Sequence, residues 1–375
     1  MPGYIVRNLF SSVTYRLLVG VLVFLCAVMP LRAQSQATPL EDFIATYAAQ
    51  HGFSGTVLVQ QDGKRRYQRS FGLSSVQYGV ANGDQTRYWI ASITKLFTAT
   101  LVLQLHEEGK LDLQANVASY LPDYAIAGAD RITLHQLLNH TSGLRNFDQV
   151  KSLEQALTRG LPTYQSPYTS DQLIRKFCSG PLLHAPGTTF DYNNGDYLIL
   201  GKVIERVTGK TYEQVLQERI LEPLGLHHTG MLRHESIVEG LASTYSYRED
   251  LKSLSNDFPV YPENWYSAGA MYSTAEDVLR FSDALFGSGL LRKESIARLT
   301  TPGLDDYGYG LWVYETRIGA AKHRVAKRPG RIMGAQAQLY RFLDRDLTIV
   351  ILANTANTDL DEFVLRIGEA AVGSK

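Results

Sequence analysis

Tyr88-Trp89-Ile90-Ala91-Ser92-Ile93-Thr94-Lys95-Leu96-Phe97-Thr98-Ala99-Thr100-Leu101-Val102-Leu103-Gln104-Leu105 is the stretch whose reading decides how this chain folds. Tyr88 to Ile90 reads as a short approach. Leu96, Phe97, Leu101, Leu103 and Leu105 then supply a buried helix that stops at Gly109. Residues three apart on a helix share a face, so the Lys95 amine can lie beside the Ser92 hydroxyl. A hydroxyl is a poor nucleophile at neutral pH and needs a base beside it. A lysine serves as that base when burial or a neighbouring cation lowers its pKa. At a helix N-terminus, Ser92 would also have backbone N–H groups and a dipole that favour developing negative charge. The plainer alternative is an N-cap serine with an exposed lysine. Of all the lysines, only Lys95 has a serine three residues before it.

Tyr192-Asn193-Asn194 is the chain's single Tyr-x-Asn, set in Thr188-Thr189-Phe190-Asp191-Tyr192-Asn193-Asn194-Gly195-Asp196-Tyr197. A phenol beside ammonium groups is partly ionised, so Tyr192 can take the Ser92 proton and later give it to a leaving group. The Asn194 amide offers a donor and an acceptor, which suits holding Lys95 and a substrate amide together. A polar loop capping a helix that begins near Tyr197 would explain Asn193 better than it explains Tyr192 and Asn194.

With these motifs in place, the sequence resembles the serine β-lactamase and penicillin-binding protein superfamily, in the branch of class C β-lactamases, D-amino-acid peptidases and related esterases. The resemblance runs from about Phe53 to about Gly368. It takes in Phe53-Ser54-Gly55-Thr56-Val57-Leu58-Val59 and Leu137-Leu138-Asn139-His140-Thr141-Ser142-Gly143-Leu144. It continues through Pro223-Leu224-Gly225-Leu226 and Ser267-Ala268-Gly269-Ala270-Met271-Tyr272-Ser273-Thr274, and closes at Ile349-Val350-Ile351-Leu352-Ala353-Asn354. The resemblance implies that Ser92 is acylated and that Lys95 and Tyr192 act as bases.

The family's third motif, Lys-Thr-Gly or His-x-Gly on a strand lining the site, is where this sequence departs. Counting back from Asn354 places it at Arg328-Pro329-Gly330, followed by Arg331-Ile332-Met333-Gly334. Gly330 and Gly334 fall where the family has glycines. Arg328 keeps the cation and can grip a substrate carboxylate in bidentate fashion. Pro329 replaces a residue that usually carries a hydroxyl, and it confines the strand to an edge or bulge. That loss argues against efficient β-lactam turnover. The resemblance also implies two oxyanion-hole N–H groups, those of Ser92 and Arg331. His228-Thr229-Gly230 spells the motif better but has no suitable strand after it, and reads as a turn. In the basic cluster around the motif, Lys322 and Arg324 read as a solvated strand edge.

Pattern and resemblance together imply an α+β fold with three αβα layers: an antiparallel sheet of five or more strands, flanked by helices, with a mostly helical insertion. Expected strands are Phe53 to Gln60 and Arg66 to Phe71, joined at Asp62-Gly63. Three more are Gly308 to Tyr314, Ala335 to Phe342 and Leu347 to Ala353, with helices Leu40 to Gln50 and Leu360 to Val372. Thr211 and Gln214 stand in capping-box register. The sheet part would comprise residues 38–90 and 300–375, the helical part 91–299, with the cleft between them.

At 375 residues, 45% hydrophobic and 20% charged, the chain has ordinary globular composition. Lys+Arg and Asp+Glu both number 37, so net charge gives no argument for nucleic acid. No metal-ligand cluster or cofactor motif is legible. Residues 1–33 have the layout of a secretory signal peptide: Arg7 and Arg16, apolar Leu17 to Leu31, then Arg32-Ala33-Gln34. Cleavage near Ala33 would leave 34–375 in the periplasm or medium with Cys178 alone and no stable membrane association. A retained anchor is the alternative.

The reading is therefore an exported serine hydrolase that forms an acyl-enzyme on a small-molecule or peptide ester or amide, carboxylate-bearing substrates included. Esterase or D-amino-acid peptidase ranks above β-lactamase or D-Ala-D-Ala carboxypeptidase. A non-catalytic domain that senses peptidoglycan or lactams is the alternative of another class. Ser92, Lys95, Tyr192 and Asn194 together argue against it.

Overall fold

The computed structural model describes residues 38–147 and 152–373. The expected signal segment 1–33, with Cys26, lies outside them. Residues from Pro39 onward form one compact unit. Its centre is an antiparallel sheet of six strands: β1 (Gly55–Gln61), β2 (Lys64–Phe71), β3 (Trp312–Ile318), β4 (Ala321–Ile332), β5 (Ala335–Phe342) and β6 (Leu347–Ala353). Their spatial order is β3-β4-β5-β6-β1-β2, so strands from both ends of the chain meet at β6 and β1. Asp62 and Gly63 both have positive φ, 52° and 67°. A two-residue hairpin in which both central residues are left-handed matches strand twist.

Alternating side chains build the layers. Val57, Val59, Ile349 and Ile351 face one way, into a cluster with Ile44 of α1 (Pro39–Gln50) and with Phe363 and Ile367 of the C-terminal helix Leu360–Gly373. Leu58, Val350 and Leu352 face the other way, into a larger cluster. That cluster is shared with α2 (Thr94–Glu107), α3 (Asn194–Thr208) and α4 (Ala275–Phe286). The expected three-layer αβα arrangement is present. Helix α4 packs directly on β1 and β6.

Two elements differ from the sequence reading. Strand β3 starts four residues later than expected, at Trp312, because Gly308 to Leu311 form a turn that passes close to α2 and α3. The amide of Tyr309 is bonded to Leu299 O, and that of Gly308 to Leu311 O. At Gly310, with φ +80°, a Cβ would lie 3.1 Å from Tyr197 Oη and 3.2 Å from Lys95 O. Strand β4 was legible only through its third motif and its basic cluster, since five of its residues are Lys or Arg. Its partner β3 ends at the Trp312–Lys327 pair, so Pro329 sits where β4 has only β5 beside it. A residue without an N–H fits there because one side of the strand is locally an edge. His228 and Thr229 lead through a turn into the short strand Gly230–Met231. Among the described residues, no helix is long and apolar enough to cross a membrane.

Candidate active site

The nucleophile candidate sits in a tight 3₁₀ turn, Ala91–Ile93, that leads directly into α2. Ala91 has φ +47°, a left-handed conformation that an L-residue keeps only when its surroundings enforce it. Two contacts enforce it here. Thr94 Oγ1 donates to Ala91 O at 2.7 Å and accepts from the Met271 amide at 3.3 Å. The half-buried Ser92 is thereby presented on the shoulder of α2.

One turn on, Lys95 is fully buried. Its Nζ donates to Ser92 Oγ at 3.2 Å, Asn194 Oδ1 at 2.7 Å and the Ala268 carbonyl at 2.9 Å. An ammonium has three protons and no lone pair, so these three bonds fit a charged lysine. Ala268 lies in the short helix Tyr266–Gly269. Its neighbours hold it still: Ser267 Oγ donates to Tyr197 O at 2.8 Å, and the Trp89 indole donates to Gly269 O at 2.6 Å.

Asn193 caps α3, its side chain accepting from the Gly195 amide at 2.8 Å. This cap turns its two neighbours toward α2. Asn194 meets Lys95, and the Tyr192 hydroxyl lies 2.9 Å from Ser92 Oγ. Burial alone would push the Tyr192 phenol up. The Arg328 guanidinium and the Lys95 ammonium outweigh burial and hold it at about 8, below its ordinary 10. Trp312 stacks on the Tyr192 ring, centroids 6.0 Å apart and planes 16° from parallel.

Arg328 is 1% exposed. Its Nε donates to Ser92 O at 2.7 Å, Nη1 to Tyr307 Oη at 2.9 Å and Nη2 to Tyr192 Oη at 2.6 Å. Three of its five N–H groups are thus used inside the protein. Gly330 lies flat against the nucleophile's turn. A Cβ there would be 2.4 Å from Ile90 O and 3.1 Å from Ser92 N. The absence of a side chain lets β4 approach the Ser92 backbone, and Arg331 follows with its side chain exposed.

The structure therefore brings Ser92, Lys95, Tyr192, Asn194, Arg328 and Gly330 to one place, with Arg331 adjoining in sequence. Sequence reasoning missed Ala268, Tyr307 and Trp312. Ala268 lay in a quoted motif, but a carbonyl that binds lysine leaves no mark on residue type. Tyr307 carried no signal, because its place depends on the turn before β3. Among the described residues, no group of His, Cys, Asp or Glu is arranged to hold a metal.

A hydroxyl flanked by an ammonium, a phenol and a guanidinium on an αβα scaffold is the equipment of a serine hydrolase. The chain belongs to the beta-lactamase family, whose model matches residues 40–373, and it is a serine hydrolase of that family. It is 26% identical to penicillin-binding protein 4* of Bacillus subtilis over 358 residues, 90% of this chain and 76% of that protein. It is 28% identical to the teichoic acid D-alanine hydrolase of Staphylococcus aureus over 302 residues, 80% of this chain and 70% of that protein. Among solved structures, a D-stereospecific amidohydrolase from Streptomyces superposes with a TM-score of 0.73 at 27% identity, covering 84% of this chain and 94% of that one.

Proposed function

We propose that the protein is an exported hydrolase that cleaves an ester or amide of a D-amino acid through an acyl-enzyme on Ser92. The observation that carries this reading is the division of labour around Ser92 Oγ. Lys95 spends three protons on Ser92, Asn194 and Ala268, whereas Tyr192, 2.9 Å away, is held at about 8 by two cations. Tyr192 is therefore the base and Lys95 the fixed charge beside it. Ser92 gives its proton to the Tyr192 phenolate while Oγ bonds to the acyl carbon. The Ser92 and Arg331 backbone N–H groups face the oxyanion. Tyr192 then protonates the departing alcohol or amine. In the second half, water gives a proton to Tyr192 and attacks the acyl carbon, and Ser92 leaves as its alcohol.

Arg328 is assigned to this machinery rather than to a substrate carboxylate, since its guanidinium is buried and bonded to Ser92, Tyr192 and Tyr307. The relatives that act on D-alanyl and D-configured substrates support the D-amino-acid class. Pro329 offers no hydroxyl to a lactam carboxylate, which ranks β-lactamase and D-Ala-D-Ala carboxypeptidase second. Export rests on the layout of residues 1–33. The test is intact-protein mass spectrometry after a fluorophosphonate, then after a fluorescent penicillin, alongside turnover of D-alanyl and L-alanyl esters. Expected are a fluorophosphonate adduct on Ser92 and preference for the D-ester. Absence of the adduct, or faster turnover of the L-ester, overturns the corresponding half of the reading.

A further inference from the structure

Against the Tyr192 ring lies a pair of ionisable groups that the mechanism above does not use. His140 and Asp196 are 1% and 0% exposed, and His140 Nδ1 is 2.8 Å from Asp196 Oδ2. The other carboxyl oxygen, Oδ1, accepts from Ser142 Oγ at 2.6 Å. His140 Nδ1 also accepts from the Asn193 amide at 3.3 Å. An imidazole nitrogen that accepts an N–H bond carries a lone pair rather than a proton. The proton between Nδ1 and Oδ2 then belongs to the carboxyl group, and Oδ1 is the carbonyl oxygen that Ser142 bonds. The His140 ring packs on Tyr192 at 4.5 Å and Tyr307 at 5.0 Å between centroids. Its Nε2 is buried and has no hydrogen-bond partner among the described residues, a place for an N–H over aromatic faces.

We infer that Asp196 carries the proton of this pair, so that Asp196 and His140 form a neutral buried couple that positions Tyr192 against Ser92. The couple ties the cap of α3 (Asn193) and the loop residue Ser142 to the ring beneath Tyr192. Being neutral, it leaves Tyr192 as the acid that answers the Arg328 charge. Among the described residues Arg328 bonds otherwise only to a carbonyl and to Tyr307, whose phenol burial pushes up out of reach.

The surrounding groups agree. Burial pushes Asp196 well above the carboxylate range, and Asp191 adds to this, against the Ser142 bond and the Lys95 charge. Burial pushes His140 well below its ordinary value, with Lys95 and Arg328 acting the same way. The Cys178 thiol, which a Cβ on Gly195 would meet at 3.0 Å, is pushed up chiefly by burial. Tyr197 is pushed up by burial. The opposing influence is the N-terminal turn of α3, which favours a negative Asp196 but leaves the group wholly buried.

This inference rests on Tyr192 as the base, yet its first test needs no turnover. Infrared spectra of the resting wild-type protein with ¹³C-labelled aspartate should show, at neutral pH, the carbonyl band of one protonated carboxylic acid. Asp196→Asn should remove that band. Its absence from the wild type, or its survival in Asp196→Asn, overturns the inference. Ultraviolet titration of Tyr192, located by difference from Tyr192→Phe, is the second readout. Asp196→Asn exchanges one neutral donor for another, so the Tyr192 midpoint should stay in place. Loss of an ionised carboxylate would lower the midpoint by about 1–3 units and overturn it. For positioning, His140→Phe keeps a ring but removes the acceptor, and should lower kcat and move the Tyr192 midpoint. His140→Gln, whose carbonyl can accept from Asp196, should restore both. Wild-type kcat and midpoint in His140→Phe would show that the pair does not position Tyr192. A wild-type protein with the infrared band but no hydrolysis would fault the proposed function and leave the proton assignment standing.

Discussion

Arg328→Gln separates two roles for the buried guanidinium, because one depends on pH and the other on substrate charge. In the folded protein Arg328 Nη2 lies 2.6 Å from the Tyr192 oxygen, and its charge is the leading influence that offsets burial of that phenol. An opposite charge at this range shifts a pKa by about 1–3 units. With Tyr192 at about 8, roughly a tenth of the molecules hold the phenolate at pH 7. Removing the charge raises the Tyr192 pKa. Phenolate is then scarcer at every pH below it, and each unit is about a tenfold loss in kcat/KM. The expected result is a loss of about 10- to 1000-fold at pH 7. Activity should recover as pH climbs, and the acid limb of the profile should move up by the same 1–3 units, an estimate of about that order.

The assay is kcat/KM against pH for a neutral activated ester and for a carboxylate-bearing one, in wild type, Arg328→Gln and Arg328→Lys. The lysine variant keeps charge without the planar fork, so its acid limb should move less than that of Arg328→Gln. Thermal melts must accompany the rates. Gln cannot serve Ser92 O, Tyr307 and Tyr192 together, and each unsatisfied buried polar group costs about 1–3 kcal/mol. A profile that keeps its wild-type acid limb, with KM raised for the carboxylate-bearing ester alone, would refute this account. Arg328 would then be the carboxylate clamp that its place in the third motif first suggests.

Ser92→Ala should abolish turnover of an activated short-chain ester while leaving the melting temperature near wild type; persistent turnover in the purified variant removes Ser92 from the nucleophile's role. Lys95→Ala and Tyr192→Phe should each cut kcat heavily, and the double variant should fall little further, because groups that act as a unit are strongly non-additive. Gly330→Ala forces a Cβ to 2.4 Å from Ile90 O and should cost about 1–3 kcal/mol of stability, the usual range for overpacking. It should also reduce kcat, and a variant with an unaltered melt and rate would place β4 farther from the Ser92 turn. N-terminal sequencing of protein recovered from the periplasm or medium should read from near Gln34, whereas Met1 or Pro2 on membrane-bound protein supports the retained anchor.

What the sequence made legible depended on whether a residue's role is local. Ser92 stands in the 3₁₀ turn and Lys95 one turn on in α2, so their spacing carried their geometry; the cap at Asn193 was legible from residue type, although the helix begins at Asn194 and not near Tyr197. Leu347–Ala353 was readable to the residue because it is wholly buried and almost entirely apolar, and Ala335–Phe342 because it is buried at every position but Arg341, although it also carries Gln336 and Gln338. Strand β4 broke that pattern with lysines and arginines, and β3 was displaced by a turn whose cause, the close pass of Gly310 to Lys95, lies more than two hundred residues away in sequence.

The same distinction explains why the third motif is the hardest to read. A lysine or histidine at position 328 would be taken for a substrate-facing cation by resemblance alone. Arginine is longer and forked, and here the fork turns inward to span Ser92 O, Tyr307 Oη and Tyr192 Oη. Tyr307 can meet it because the turn before β3 brings that loop under the strand. Pro329 is tolerated next to it because β3 has already ended. On the proposed mechanism the arginine sets the charge of the base, where the third motif by resemblance alone implies a cation that meets substrate. Neither consequence can be computed from the residues around position 328, only from the partners that the fold delivers to them.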